Sequence, residues 1–363
     1  MKQRVIKPTL LLDEFKCKNN IERMALKARE KRLNLRPHFK THQSLEIGEW
    51  YKEYGVDKIT VSSLSMAEYF ADQWQDITVA FPVNVLEIDT INSLASKITL
   101  NLLVESKETV SFLKENVTSD LAVFIKIDVG YNRVGVKSND LKLIEEILSV
   151  IDSSDSIQFR GFLAHAGHTY NCRSKEEIIQ VHEKAVRCLH PLKLKYKTRY
   201  PDSIISYGDT PSCSVAENFE GIDEIRPGNF VFYDLAQEQI GSTNMDNIAV
   251  AMACPIVAIY KDRNEIVIYG GGVHFSKDRL EDDSHGVIFG KVVSSVKEGW
   301  GEEIPDMYLK KLSQEHGTVH VPNNEISNYK IGDHLVILPV HACMTAHEMK
   351  SFYVEPGKII SRL

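Results

Sequence analysis

The chain has 363 residues, with 43 Lys and Arg against 50 Asp and Glu, and 43% of its residues are hydrophobic. This composition is typical of about two globular domains with a large core, and it excludes disorder, collagen-like repeats and a fibrous coiled coil. The formal net charge of −7 offers no basic field for a polyanion. We therefore expect no binding to nucleic acid or to an anionic membrane, and a small molecule as the partner.

The sequence also indicates the compartment. No apolar run approaches the roughly 18 residues that cross a bilayer, and no apolar stretch with a cleavage site follows residues 1–9. The six cysteines lack the Cys-X-X-Cys spacing, which favours reduced thiols, of which we expect one or two at most to do chemistry. These features predict a cytoplasmic protein.

From about residue 35 to residue 234 one unit repeats: a short β-branched apolar run, a turn, and a segment with helical spacing of apolar and charged residues. The predicted strands are 35–40, 58–63, 77–82, 98–104, 121–128, 157–165, 203–207 and 224–233. The predicted amphipathic helices between them include 44–54, 65–74, 106–115, 139–151 and 174–189, several with Ser or Asn as N-cap.

Eight βα units predict a (β/α)8 TIM-type barrel of the α/β class, with its active site on the loops that follow the strands. A doubly wound sheet is the alternative, although eight strands would make a large open sheet and no GxGxxG follows a strand. After about residue 240 the runs 249–260, 265–269, 334–339 and 351–354 are joined by polar turns. We therefore predict a barrel domain over 11–240 and a β-rich domain over 241–363, to which residues 1–10 add a strand.

The segment RPHFKTH, residues 36–42, ends the first predicted strand and contains Lys40. By position alone, a solvated lysine is the commoner interpretation. The apolar Phe39 and the flanking His38 and His42 favour instead a partly desolvated amine, which imine formation with an aldehyde cofactor requires.

Two further strand ends are suited to a phosphate group. The loop that follows the seventh predicted strand contains Thr210, and the loop at the eighth contains Gly228 and Asn229. Barrel enzymes commonly bind phosphate on these two loops, through backbone N–H groups and a hydroxyl. Each loop also fits an ordinary turn, so the prediction of a phosphate site depends on the pair.

The loops after the fifth and sixth predicted strands add polar side chains. Arg133 is a fixed cation suited to a phenolate or a carboxylate, although a surface ion pair explains it equally well. His168 and Tyr170 are candidates for contact with a cofactor ring. We expect His165, on an apolar strand, to be a core histidine with satisfied hydrogen bonds.

In the β-rich domain, His341 and Cys343 directly follow the predicted strand 334–339. Residues i and i+2 of an extended chain face the same side, so imidazole and thiolate can converge on one cation. Such an HxC pair is common by chance. Two ligands suit a catalytic metal with open positions, and this donor pair favours zinc over harder ions.

Taken together, the motifs resemble the D-serine dehydratase/D-threonine aldolase family, relatives of alanine racemase with a pyridoxal-phosphate barrel and a β-domain. The matching segments, in family order, are RPHFKTH (36–42), DVGYNRVG (128–135), HAGHTY (165–170), GDTPS (208–212), EIRPGNFVFYD (224–234), GGGVHFSKD (270–278) and PVHAC (339–343).

The resemblance implies residue roles. Lys40 would carry the pyridoxal phosphate and act as a base at Cα, and Arg133 would lie beside the cofactor. His341 and Cys343 would hold a divalent metal, expected to be zinc. The ring or the phosphate would be bound by His168, Tyr170, Thr210, Gly228 and Asn229. The resemblance also implies a homodimer.

The implied activity is that of a lyase acting on D-3-hydroxy amino acids. We expect a D-serine dehydratase, which forms pyruvate and ammonia, because zinc is a strong Lewis acid for a hydroxyl that leaves as hydroxide. The first alternative is an aldolase for D-threonine or similar 3-hydroxy-D-amino acids. An amino-acid racemase and a non-catalytic carrier of pyridoxal phosphate are the further alternatives.

Overall fold

The computed structural model describes residues 5–296 and 299–363 of the chain. Two compact units form. The first, here called the barrel unit, is built from Ile21–Phe230 and Ile240–Ser242. The second, here called the β unit, combines the residues through Asn20 with Val231–Gln239 and Thr243–Leu363. The domain limits predicted from the sequence, 11–240 and 241–363, remain predictions.

The barrel unit contains a parallel sheet in which eight strands follow one another around a ring. In chain order these strands are Asn34–Leu35, Ile59–Val61, Asp76–Pro82, Thr99–Val104, Leu121–Asp128, Ile157–Ala164, Ile204–Tyr207 and Glu224–Ile225. The eighth strand pairs with the first, and a bridge from His38, three residues beyond the first strand, to Thr60 of the second closes the ring. This closure confirms the (β/α)8 barrel and excludes the doubly wound alternative. A short additional strand, Val136–Lys137, pairs with the fifth.

Two predicted strands are too long. The first ends at Leu35, not at residue 40, and the eighth ends at Ile225, not at residue 233. Each is followed by an Arg-Pro pair, and proline removes the N–H that would continue a ladder of hydrogen bonds. Lys40 therefore lies in a turn beyond the first strand.

The helices of the barrel unit begin where polar side chains satisfy their first N–H groups. Ser44, Ser106 and Ser174 act as N-caps, as predicted. Ser63 and Asp140 cap the helices for which the sequence pattern suggested starts at 65 and 139. The helices are Leu45–Lys52, Leu64–Phe70, Ile88–Ala95, Lys107–Asn116, Leu141–Asp152, Lys175–Tyr196 and Thr210–Val215. The helix Glu14–Glu30 is divided between the two units, since the barrel unit begins at Ile21.

A buried charge network lies among the barrel strands. The Arg36 guanidinium is fully buried and donates to Asp76 at 2.7 Å and to Glu224 at 2.8 Å. Asn101 donates to the same Asp76 carboxylate at 2.8 Å. Because a buried charge is tolerated only when it is paired and hydrogen-bonded, this network links the first, third, fourth and eighth strands of the ring.

The β unit is built on a nine-stranded sheet. Six strands close into a ring, since Val250–Tyr260 pairs both with His334–Pro339 and with Glu265–Tyr269. Thr9–Leu12 pairs antiparallel with Val250–Ala253, so a strand near the N-terminus lies in this sheet. The other strands of the unit are Leu280–Asp282, Gly286–Ile288, Gly290–Ser295, Trp300–Leu312, His316–His320, Ser351–Val354 and Lys358–Ser361, and its helices include Gly272–Phe275 and Ala342–Met349.

Two further features of the chain concern disulfides and membrane-crossing segments. All six cysteines lie in the described part of the chain, and none forms a disulfide there. Across the described residues, no helix combines the length and the apolar character that a membrane crossing requires.

Candidate active site

Cationic side chains gather at the carboxyl ends of the barrel strands. Lys40 is exposed, so the expectation of a partly desolvated amine at this position is wrong. Its backbone N–H donates to the Nδ1 atom of His38 at 3.4 Å. The Arg133 guanidinium lies 5.0 Å from the centre of the Tyr131 ring. The charges of Lys40, Arg133 and Arg226 all act on His38. The turn after the first strand and the loops after the fifth and eighth strands therefore meet here.

Burial, aided by these cations, keeps two histidines neutral. Burial, together with the charges of Lys40 and its neighbours, holds the pKa of His38 well below its usual range. Burial lowers the pKa of His165 to about 3, although a hydrogen bond to Gly208 opposes the shift. The Nδ1 atom of His165 lies 2.6 Å from the Gly208 carbonyl oxygen, which can only accept. Nε2 of His165 is therefore left as a hydrogen-bond acceptor.

His165 is thus only partly what the sequence suggested. Its hydrogen bond satisfies one nitrogen, as expected of a core histidine. Its ring nevertheless lies among the charges of Lys40, Arg133 and Lys126, and the rings of Tyr131 and His165 are 5.8 Å apart. His165 therefore belongs to the site.

Lys126 was missed by the sequence analysis. It lies on the fifth strand, is 5% exposed, and its Nζ donates to the Ile127 carbonyl oxygen at 2.8 Å. Burial, aided by the charges of Arg226 and Arg133, lowers the pKa of Lys126 to about 7. The available signal was a single lysine inside the apolar strand LAVFIKID, because such a residue must point into the barrel or be paired.

The two loops assigned to a phosphate lie against each other. The Oγ1 atom of Thr210 accepts a hydrogen bond from the Gly228 N–H at 3.2 Å. A Cβ atom on Gly228 would lie 3.0 Å from the Cβ of His38 and 3.3 Å from Oγ1 of Thr41. Both Thr210 and the adjoining Asn229 are buried. The two loops predicted to bind phosphate and the turn that carries Lys40 are therefore packed together.

The segment Gly167–Asn171 presents the two aromatic candidates. The rings of His168 and Tyr131 stack 6.2 Å apart, and the buried Nδ1 atom of His168 has no hydrogen-bond partner among the described residues. Tyr170 is 38% exposed. Thr169, between them, donates to Asp209 at 2.9 Å, and Asp209 caps the helix Thr210–Val215. The aromatic segment is thereby tied to the phosphate loop.

These residues fit pyridoxal phosphate. The lysine needed for an imine, a surplus of positive charge for a phosphate and a phenolate, and a glycine where the backbone must approach closely are present in one unit. The unpartnered nitrogen of His168 is a polar group that a bound molecule could satisfy.

The proposed metal ligands lie in the β unit. His341 and Cys343 are hydrogen-bonded to each other, and Nδ1 of His341 lies 3.3 Å from Oδ2 of Asp278. Burial acts against a charge on His341, but the hydrogen bonds to Asp278 and Cys343 outweigh it and raise its pKa. No group of three or more His, Cys, Asp or Glu side chains in the described ranges is arranged to hold a metal. The pair therefore fits an open site with two protein ligands and not a closed structural one.

Two family models match this chain. Residues 12–235 match the family model described as alanine racemase, N-terminal domain, and residues 249–355 match the putative serine dehydratase domain. A D-serine dehydratase from Dictyostelium discoideum is 30% identical over 96% of this chain and 92% of its own.

Solved structures agree at the level of the fold. D-threo-3-hydroxyaspartate dehydratase from Delftia sp. HT23 superposes with a TM-score of 0.90 at 24% identity, covering 99% of this chain and 98% of that one. D-threonine aldolase from Filomicrobium marinum gives 0.83 at 19% identity, with coverage of 99% and 98%. The chain is thus a lyase of the pyridoxal-phosphate-dependent family that contains D-serine dehydratase and D-threonine aldolase, built on an alanine racemase-like fold.

Proposed function

We propose that this chain is a pyridoxal-phosphate- and zinc-dependent D-serine dehydratase, which converts D-serine to pyruvate and ammonia. The observation that carries the proposal is the hydrogen-bonded imidazole and thiol of His341 and Cys343, in a chain 30% identical to a D-serine dehydratase. A thiolate and an imidazole suit zinc. Zinc is also a strong Lewis acid, which suits a reaction in which hydroxide must leave.

The barrel unit would hold the cofactor. Lys40 would bind its aldehyde carbon, and Arg133 would lie beside the ring. The remaining contacts, to the ring or to the phosphate, would come from His168, Tyr170, Thr210, Gly228 and Asn229. The packing of Gly228 against His38 and Thr41 supports this arrangement, because it joins the phosphate loop to the turn that bears the amine.

Once bound, pyridoxal phosphate supplies an electron sink for the bonds of the substrate's Cα atom. Lys40 Nζ would remove the Cα proton, and a single fixed lysine reaches one face only. His38 and His165 stay neutral beside it and add no positive charge. Nε2 of His165 can accept a hydrogen bond there, which orients a donor without competing for the proton.

The proposed reaction is a β-elimination followed by hydrolysis. The substrate would lose its Cα proton to Lys40 and its β-hydroxyl as hydroxide, together the elements of one water molecule, and the resulting enamine would take up water and hydrolyse to the 2-oxo acid and ammonia. The divalent cation held by His341 and Cys343 would polarise that hydroxyl. A structure of D-threo-3-hydroxyaspartate dehydratase in which a cysteine is changed to alanine is described as the metal-free form of that protein, which supports a metal-binding cysteine within this fold.

We also propose that the protein is a cytoplasmic homodimer. The support for the dimer is the family resemblance. The support for the compartment is the set of six cysteines without a disulfide in the described chain.

The test is a substrate panel with the holoenzyme. D- and L-serine, D- and L-threonine and D-threo-3-hydroxyaspartate are scored separately for 2-oxo acid, aldehyde and enantiomer formation. We expect 2-oxo acid from D-serine, none from L-serine, and loss of this activity on chelation or in the Cys343→Ala variant, with visible absorption of the bound cofactor retained. Cys188→Ala is the matched control, since Cys188 lies on a barrel helix.

Two outcomes would contradict the proposal. Full-rate elimination by chelated enzyme would remove the metal from the reaction. Acetaldehyde and glycine from D-threonine, in place of 2-oxobutanoate, would assign the chain to the aldolases.

A further inference from the structure

Asp278 contacts a proposed metal ligand without belonging to the HxC pair. Its Oδ2 atom lies 3.3 Å from Nδ1 of His341, and both side chains are partly exposed. A carboxylate accepts a hydrogen bond and cannot donate one when ionised. Nδ1 of His341 must therefore carry the proton in this contact, and Nε2 is the nitrogen that remains for a cation.

The carboxylate is itself held in place. Ser276 Oγ donates to Asp278 Oδ2 at 2.8 Å, and the Asp278 N–H donates back to Ser276 Oγ at 3.2 Å. Ser276 has a positive φ of 67°, which a non-glycine residue adopts only when its surroundings require it. The turn after the helix Gly272–Phe275 is thus built around this carboxylate.

The same turn is tied to the segment that bears the HxC pair. Thr345 Oγ1 donates to the Phe275 carbonyl oxygen at 3.0 Å, and Thr345 lies on the helix that contains Cys343. On the other side, the buried Asp234 accepts a hydrogen bond from the Ala342 N–H at 2.9 Å. Asp234 therefore fixes the backbone between the two ligands, whereas Asp278 contacts the imidazole itself.

We propose that Asp278 is a positioning residue for metal binding: its carboxylate holds the Nδ1–H of His341 and leaves Nε2 as the nitrogen that binds the divalent cation. This inference rests on the metal site of the proposed function. Acceptors behind a metal-binding histidine fix its tautomer and ring orientation and raise its basicity, and their loss typically weakens metal binding about 10- to 100-fold.

The experiment measures zinc affinity and not only turnover. Full-length holoenzyme is stripped with a chelator and titrated with Zn²⁺ in competition with a chromophoric chelator. We expect Asp278→Ala to weaken zinc binding about 10- to 100-fold. Asp278→Asn, which keeps an acceptor oxygen but loses the charge, should weaken it less. The matched control is Asp282→Ala, because Asp282 makes the same kind of contact with another imidazole, that of His285, at 2.9 Å.

Further readouts distinguish positioning from general damage and from direct ligation. The melting temperature and the cofactor absorption of Asp278→Ala should match those of Asp282→Ala. At saturating Co²⁺, its visible spectrum should match that of the wild type, because the ligands are unchanged. A changed Co²⁺ spectrum would make Asp278 a ligand and overturn the proposal.

Affinities in the other variants separate this inference from the proposed function. Equal zinc affinity in wild type and Asp278→Ala, with binding lost in His341→Ala, would overturn the positioning role alone. A wild-type protein that binds no zinc would overturn the metal assignment and the inference with it.

Discussion

The buried amine of Lys126 should make stability depend on pH above neutrality. Its pKa is lowered to about 7 by burial and by the charges of Arg226 and Arg133, whereas an unfolded lysine titrates near 10.4. Between these two values the unfolded chain binds more protons than the folded one, so stability rises with pH across that window. Below about pH 7 both states are protonated, and the full cost of burying the charge remains.

The magnitude follows from the two pKa values. Each pH unit inside the window contributes about 1.4 kcal/mol, so Lys126 should add roughly 3 to 4 kcal/mol to the free energy of unfolding between pH 7 and pH 10. Methionine fills similar space without titrating. The Lys126→Met variant should therefore lose this rise and be more stable than the wild type near neutrality.

The assay is urea unfolding of wild type and variant at pH 7, 8 and 9. Tryptophan fluorescence reports on the barrel unit through the buried Trp50 and Trp74. Lys142→Met serves as the control, because the Lys142 side chain is 87% exposed on a helix of the same unit. If the difference between wild type and Lys126→Met is the same at all three pH values, the amine does not titrate in this window and the reasoning fails.

Three further predictions concern the cofactor, the core and the assembly. Borohydride reduction of the holoenzyme should fix the cofactor mass on the peptide that contains Lys40, and finding it on Lys277 would refute that assignment. Arg36→Met should lower the free energy of unfolding by about 3 to 5 kcal/mol, because it removes the ion-pair partner of the buried Glu224 carboxylate; a second change, Glu224→Gln, should restore part of the loss in urea unfolding, and no restoration would refute the pairing argument. Light scattering should find a dimer at micromolar concentration, whereas a fully active monomer would contradict the homodimer.

Much of the barrel could be predicted because its signals are local. A strand such as Leu121–Asp128 is a run of apolar residues, and the helix Lys175–Tyr196 begins at a serine that caps it. The errors in strand length came at residues 36–40 and 226–233, where an Arg-Pro pair interrupts an otherwise apolar pattern. Proline's missing N–H explains both, so this part of the error was recoverable from the sequence.

The order of elements along the chain also predicts that the two loops assigned to a phosphate lie side by side. Thr210 and Gly228 follow consecutive strands, and consecutive parallel strands of a barrel bring their loops to one edge. The hydrogen bond between Gly228 N–H and Thr210 Oγ1 agrees with that expectation. The close approach of Gly228 to His38 needed ring closure as well, since the first and eighth strands are neighbours only in a closed barrel.

From the sequence alone came the order of the elements, the barrel, the β-rich unit and the chemistry expected at the strand ends, because periodicity and short motifs act over a few residues. The tertiary structure alone decided which charges meet. Burial lowers the pKa values of Lys126 and His165, aided by the charge of Arg226 for Lys126 and of Lys40 for His165, each about 100 residues away or more along the chain. Asp278 reaches His341 from a distant turn. Charge state and tautomer depend on the distances that folding sets between remote residues, and no local pattern encodes those distances.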